Sequence, residues 1–173
     1  MASAFLTRLK LWRCAWVGEA PRVLGRVWIH GGGRLGLGNR VVLDGRAAPI
    51  ELHSEPGAEI VLGDDVRVEG GASIQAQKSV CLGPRCHVGG FAKIIDNQFH
   101  PVSGARSQRP PSSAVQIGAD VELGPRAIVL PGSRIGTGAL IGAGAVVSHH
   151  VPAGASFTGL PGRIALPGAS GAP

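Results

Sequence analysis

One period governs this chain. Ile117, Leu123, Val129, Ile135, Ile141 and Val147 stand six residues apart without interruption, and four places after each comes Val121, Ala127, Ser133, Ala139, Ala145 and Val151, all small or β-branched. A six-residue period fits neither the 3.6-residue helix nor the alternation of a plain strand, so the chain must turn at regular intervals. Each hexapeptide then supplies one short strand and one corner, with the aliphatic residue inside and the small residue fitted at the bend. Glycines 118, 124, 136 and 142, directly after the aliphatic residue, give the backbone freedom there. The same phase recurs at Leu62, Val68 and Ile74 and, after a two-residue slip, at Leu82, Val88 and Ile94. Ile50 and Pro56 lead into the first set, and Val23, Ile29, Leu35 and Val41 form a looser version. Three hexapeptides close one triangular coil, so the repeat predicts an all-β parallel helix of about six coils, roughly 29 Å tall at ~4.8 Å per coil.

Composition matters here mainly for what it excludes. The 28 glycines and 13 prolines of 173 residues would read as low complexity if scattered, but their regular placement marks corners. A net charge of +6 is spread along the repeats rather than clustered, and four Phe, three Trp and no Tyr offer little for bases to stack on. Nucleic acid is therefore not expected as a partner. No apolar run reaches the ~18–20 residues of a membrane span. Arg8, Lys10 and Arg13 interrupt the opening apolar run, unlike a secretory signal. Cys14, Cys81 and Cys86 form neither a disulfide framework nor a two-residue zinc spacing, which fits a cytoplasmic protein with no metal site of its own. Residues 1–20 read as an amphipathic segment with Phe5, Leu9, Trp12 and Trp16 at helical spacing. Such a short helix caps an open β-helix end or packs in an oligomer, with peripheral membrane contact as the alternative. The repeat domain spans 21–156, and 157–173 forms a terminal segment with a flexible tail.

The period fails between residues 99 and 116, where FHPVSGARSQRPPSSAVQ separates two well-phased blocks. An insertion of this length must leave the prism as a loop, and such loops tend to carry function. It opens with His100, held toward extended geometry by the proline that follows. A histidine of ordinary pKa, about 6.5, suits a general base at neutral pH. Asp96, four residues earlier, is the nearest carboxylate that could orient it, and Glu122 is the rival. Asn97 is a candidate contact for an acceptor or an oxyanion. Arg106 and Arg109 are candidates for acceptor or subunit contact.

Residues 117–164, with His100-Pro101 in an extruded loop upstream and a Gly-x-Pro-x-x-Ile segment at 159–164, resemble the hexapeptide-repeat acyltransferases. The nearest group by this pattern is that of the maltose, galactoside and polysaccharide O-acetyltransferases. The resemblance implies a left-handed parallel β-helix, a homotrimer with active sites between subunits, and acetyl-CoA as co-substrate. It further implies direct attack by a sugar or polysaccharide hydroxyl, with His100 as base and no covalent enzyme intermediate. The pantetheine arm would run along the coils at Ala127, Ser133, Gly142 and Ala145, and Arg163 would meet the CoA phosphates. Glu122 departs from the family pattern by standing where many relatives carry tryptophan, and His149-His150 replaces a common lysine. Three other readings stay open: an N-acetyltransferase for an amino sugar or antibiotic, a zinc carbonic anhydrase using His53, His87 and His100, and a non-catalytic scaffold.

Overall fold

The computed structural model describes residues 7, 9–98, 110–159 and 162–166. Among the described residues nineteen strands form, and all but the last pair in parallel, because each strand lies on the equivalent strand of the previous turn. Three faces result. Face 1 stacks β1 (Trp16–Val17), β3 (Arg34–Leu37), β5 (Glu59–Leu62), β8 (Ser79–Leu82), β11 (Val115–Ile117), β14 (Arg134–Ile135) and β17 (His150–Val151). Faces 2 and 3 are joined into one sheet because β2 (Arg22–Gly31) and β4 (Val42–Ser54) run unbroken through their shared corner.

Face 2 continues from β4 through β6 (Arg67–Glu69), β9 (His87–Val88), β12 (Glu122–Leu123), β15 (Leu140–Ile141) and β18 (Ser156–Thr158). Face 3 continues through β7 (Ser73–Ala76), β10 (Lys93–Ile95), β13 (Ile128–Val129) and β16 (Val146–Val147). The last strand, β19 (Arg163–Ala165), folds back antiparallel on β18 and closes that end.

The solenoid has about seven turns, one more than the period alone predicts, and both ends account for the difference. At the start, Trp16–Val17 already pairs with Gly36 and Leu37 as a first turn. At the finish, a corner shortens by two residues, so Val151 is no corner residue; it lies fully buried opposite Ile135, and Phe157 fills the core opposite Ile141. Upstream, Leu52 takes the inward place opposite Ile74 while Ile50 is also buried, because three extra residues enlarge the second turn's corner near Ala47. Ala127, Ala139 and Ala145 are buried at the corners as their size requires.

Left-handed backbone recurs at one corner of every turn. Ala20, Arg40, Asp65, Arg85, Asp120, Gly138 and Gly154 all have positive φ and stack through backbone bonds such as Asp65 N–H to Asn39 O. Four of these residues alternate in charge. Arg40 forks onto Asp65 at 2.7 and 2.6 Å, and Arg85 onto Asp120 at 2.6 and 2.7 Å, so the side chains tie successive coils at positions that would otherwise favour glycine.

The opening segment caps the solenoid with a face other than the predicted stripe. Thr7, Leu9 and Lys10 are helical, and Leu11 is buried on the core. Leu9, Trp12 and Trp16 are exposed, while Phe5 lies outside the described residues. The reason is hydrogen bonding at the open edge: Lys10 Nζ donates to Gly25 O at 2.8 Å and Arg13 Nη2 to Gly31 O at 3.0 Å. Turning the basic side inward satisfies carbonyls of the first turn that an apolar stripe would strand. Among the described residues, no helix is long and apolar enough to cross a membrane.

Two predictions follow from this packing. Ile94 is fully buried between Ile74 and Val129 and links the turns on either side of the 99–109 break. Ile94→Ala should destabilise by about 2–5 kcal/mol, read as a lower urea midpoint with an unchanged slope. The Asp65 and Asp120 carboxyls are held below the ordinary aspartate value of 3.8, first by hydrogen bonds from Arg40 and Arg85. A carboxylate with a lowered folded pKa stabilises above its unfolded value, and that contribution disappears as pH falls through the folded one. The urea midpoint should therefore drop below about pH 3.8, and an Arg40→Gln/Arg85→Gln chain should show a shallower drop.

Candidate active site

The break in the period leaves the solenoid at the end of face 3, directly after β10. His100, Arg106 and Arg109 fall in 99–109, outside the described residues; by contrast, β11 already begins at Val115, so the predicted loop ends earlier than 116. The root of the insertion is well defined. Asp96 is fully buried and Asn97 is 2% exposed.

Asp96, the carboxylate anticipated for His100, is already engaged by the main chain. Its Oδ1 accepts from Gln77 N–H at 2.8 Å and from Asn97 Nδ2 at 3.2 Å, while Oδ2 accepts from the Lys78 and Ser79 amides, both at 2.7 Å. An ionised carboxyl has about four acceptor positions, and here all are used. The two-residue slip explains this: the extra residues at 77–78 bulge the preceding turn, turning three amides toward a place where only a carboxylate can answer them. Donation by Asn97 Nδ2 fixes that side chain's orientation. Its Oδ1 is left buried with no partner among the described residues. A stranded acceptor at the root of a functional loop calls for a donor from elsewhere.

Glu122 is likewise committed elsewhere. It lies on face 2, where the turns stack Arg67, His87 and Glu122, and its Oε1 accepts from His87 Nδ1 at 2.9 Å. Glu69 Oε1 sits 3.1 Å from the other nitrogen of His87 without hydrogen-bond alignment. Glu122 thus serves a histidine that sequence reasoning did not connect to it, because 35 residues and the insertion separate them. Below this group, the enlarged corner of the second turn walls a cavity of about 290 Å³ with Asp44, Arg46, Ala47, Glu69, Gly70, Gly90 and Phe91.

The proposed CoA positions are corner residues first. Ala127, Ser133 and Ala145 are fully buried. The amides of Ala127, Ser133, Gly142 and Ala145 donate within their turns or between coils, to Gly124 O, Leu130 O, Phe157 O and Gly142 O, and Ser133 Oγ donates to Leu130 O at 2.7 Å. Arg163 is exposed on β19. What these turns offer a ligand on face 3 is aliphatic: Ile128 and Val146 continue the outward column that runs Trp28, Glu51, Ser73, Lys93 below the insertion.

A polar network missed in the sequence occupies the lower part of face 3. The parallel column His30, His53, Gln75, Ile95 leads straight to the insertion root. His30 Nε2 bonds Glu51 Oε1 at 2.9 Å, and His30 Nδ1 lies 2.6 Å from His53 Nδ1. Glu51 Oε2 accepts from Ser73 Oγ at 2.9 Å and Gln75 Nε2 at 3.4 Å. Burial alone would raise the Glu51 pKa, but the bonds from Ser73, His30 and Gln75 outweigh it and lower it. Only the stacking register reveals this cluster.

The three thiols are poor nucleophiles here. Burial pushes Cys14 up to about 11 and raises Cys81 and Cys86 as well. His53 on face 3 and His87 on face 2 diverge within one chain, and the described residues hold no metal-binding group of three or more His, Cys, Asp or Glu.

Comparison with known proteins bears on this site. Residues 114–149 match the family described as bacterial transferase hexapeptide (six repeats). The 2,3,4,5-tetrahydropyridine-2,6-dicarboxylate N-acetyltransferase of Staphylococcus aureus is 38% identical over 82 residues, which is 47% of this chain and 30% of that relative. The chain thus matches less than a third of that protein's length. Among solved structures, AntD, an N-acyltransferase from Bacillus cereus crystallised as a variant with dTDP and coenzyme A, superposes with a TM-score of 0.77 at 16% identity, over 92% of this chain and 87% of that one. A hexapeptide-repeat acetyltransferase from Vibrio cholerae O1 biovar eltor, complexed with acetyl coenzyme A, gives 0.65 at 17% identity over 93% and 75%. PerB from Caulobacter crescentus, in complex with CoA and GDP-perosamine, gives 0.61 at 21% over 85% and 57%.

In its repeat and fold the chain resembles the hexapeptide-repeat acyltransferases, and its coils form a left-handed parallel β-helix. The maltose, galactoside and polysaccharide O-acetyltransferase group is not singled out. O-acetylation as the activity is corrected by the same findings, since the relative and the neighbours with a stated chemistry are N-acetyl- or N-acyltransferases.

A prediction attaches to the insertion root. Asp96→Ala leaves three main-chain amides without their acceptor in a buried place, at a cost of about 3–5 kcal/mol. Amide exchange should accelerate most at Gln77, Lys78 and Ser79. Equal acceleration across the chain would contradict a local capping role.

Proposed function

We propose that this chain is a CoA-dependent N-acyltransferase, most simply an N-acetyltransferase, acting on an amine acceptor such as an amino sugar. The observation that carries the reading is the insertion root, where the buried Asn97 side chain leaves a carbonyl oxygen without a partner among the described residues, just before the segment that contains His100. An oxygen in that state calls for a donor, which an amine or a hydroxyl nucleophile supplies while keeping a lone pair for the acyl carbon, and the choice of the amine follows from the relatives. The N-acetyl and N-acyl chemistry of the S. aureus relative and of AntD and PerB supports the same class.

In the reaction, the neutral amine attacks the thioester carbonyl, and its nitrogen forms the new bond to carbon. His100 accepts the proton that the nitrogen sheds. The carbon–sulfur bond then breaks, the CoA sulfur leaves with the electron pair, and the His100 imidazolium returns the proton to it. No acyl-enzyme is needed, in keeping with the raised thiol pKa values. The aliphatic outward column at Ile128 and Val146 flanks the pantetheine arm, Arg163 meets the CoA phosphates, and the chain works as a homotrimer. Asp96 and Glu122 support the scaffold and His87 rather than the base.

The test is acetyl-CoA binding by calorimetry together with thiol release against matched amine and hydroxyl acceptors. The wild type should bind and release CoA with amines alone. His100→Ala should bind CoA equally and lose about 10²-fold or more in turnover. Absence of CoA binding in the wild type would overturn the reading.

A further inference from the structure

All three tryptophans of this chain stand at one end of the solenoid, and none of them is buried. Trp12, Trp16 and Trp28 are 73%, 41% and 56% exposed, and Leu9, in the same opening segment, is 59% exposed. Side chains of that size are normally drawn inward by the apolar area they would hide, so three together at the surface mark a place of contact. Their arrangement follows from the cap. Lys10 Nζ reaches Gly25 O and Arg13 Nη2 reaches Gly31 O, which flank the stretch of β2 on face 3, so the segment between them runs along the open edge below Trp28. Leu11 turns into the core and leaves Leu9 and Trp12 facing out. Trp16 continues the row onto face 1, where its indole lies across Gly36 at a place any larger residue there would contest.

The same end carries the charge. Basic residues run the length of the chain, but ten of its eleven acids lie after residue 34. Residues 9–34 set Lys10, Arg13, Arg22, Arg26 and Arg34 against Glu19 alone, and so hold four of the six net positive charges. In later turns Arg40, Arg46 and Arg85 fork onto carboxylates. At this end Lys10 and Arg13 bond to carbonyls, which leave their charge intact, and Arg22 and Arg26 have no carboxylate partner among the described residues. The Arg13 guanidinium also lies over the Trp12 ring, 5.4 Å from its centroid.

We infer that this end of the solenoid docks on an anionic phospholipid surface, with the indoles entering at headgroup level and the basic residues meeting the phosphates. Tryptophan suits that boundary because its ring is apolar while its N–H stays wet. Each basic residue near an anionic bilayer adds an attraction that salt weakens. A second copy would bring the same positive charge against itself, which opposes self-association through this end. The contact leaves the insertion free, since three turns, or ~14 Å at the ladder spacing, separate Trp28 from Lys93 on the strand that leads into it. The docking is therefore independent of the acyltransferase reading.

The test is sedimentation of the full chain with vesicles of phosphatidylcholine, with and without phosphatidylglycerol, read together with tryptophan emission. Because every tryptophan lies at this end, the emission reports on it alone. The chain should pellet with the anionic vesicles only, its emission should move to shorter wavelength, and raised salt should release it. Arg22→Gln/Arg26→Gln should weaken binding about 30-fold, and Trp12→Ser/Trp28→Ser about tenfold or more, each with an unchanged urea midpoint. A wild type that stays in solution with anionic vesicles, binds neutral ones equally well, or pellets with its emission unmoved would overturn the inference. An emission shift that follows protein concentration alone, with no vesicle binding, would give the patch to a second copy and overturn it as well.

Discussion

No single turn of this chain can bury itself. A triangular coil encloses only three inward side chains, and its backbone amides and carbonyls point along the axis, so each turn is stable only when another lies in register above or below it. Every other feature follows from that dependence. The basic residues of the opening segment turn inward because the first turn has carbonyls with no turn beneath them. The backfolded β19 covers the other end. The alternating Arg and Asp residues at one corner reinforce register where left-handed backbone is hardest for a side chain to adopt.

In-register stacking also explains how a regular prism carries a specific site. Outward residues on neighbouring turns lie one ladder spacing apart, so residues twenty or more positions apart in sequence become adjacent in columns. The group of Glu69, His87 and Glu122 on face 2 and the network from His53 to Gln75 on face 3 are built this way. Insertions act at the points where a column needs altering. The slip at 77–78 produces the bulge that consumes Asp96, and the insertion after β10 divides face 3 into a polar half and an aliphatic half.

Much of this architecture is legible in the sequence, because the inward positions obey one period and burial makes that period strict. Ile117 to Val147 can be placed without coordinates. The ends are less legible: Val151 keeps the spacing of a corner residue while acting as a core residue, since a deletion of two changes phase without leaving a chemical mark. Outward pairings are nearly invisible, because they depend on the exact length of each turn. His87 and Glu122 meet only if the insertion between them is counted correctly. Asp96 could have been recognised as a cap from the two extra residues one turn earlier, whereas the contact between His30 and His53 shows only in the stacking register.

The account stands on the division of face 3 at the insertion root, with acceptor on one side and acyl donor on the other. A crystal structure of the chain with CoA and D-glucosamine tests it most directly. It should place the sugar on the polar half of face 3 with its amine toward the insertion root, and the CoA sulfur on the same face toward Ile128. A sugar bound elsewhere, such as the cavity beside Phe91, or a CoA sulfur on face 1 or 2 of the same chain, would contradict it.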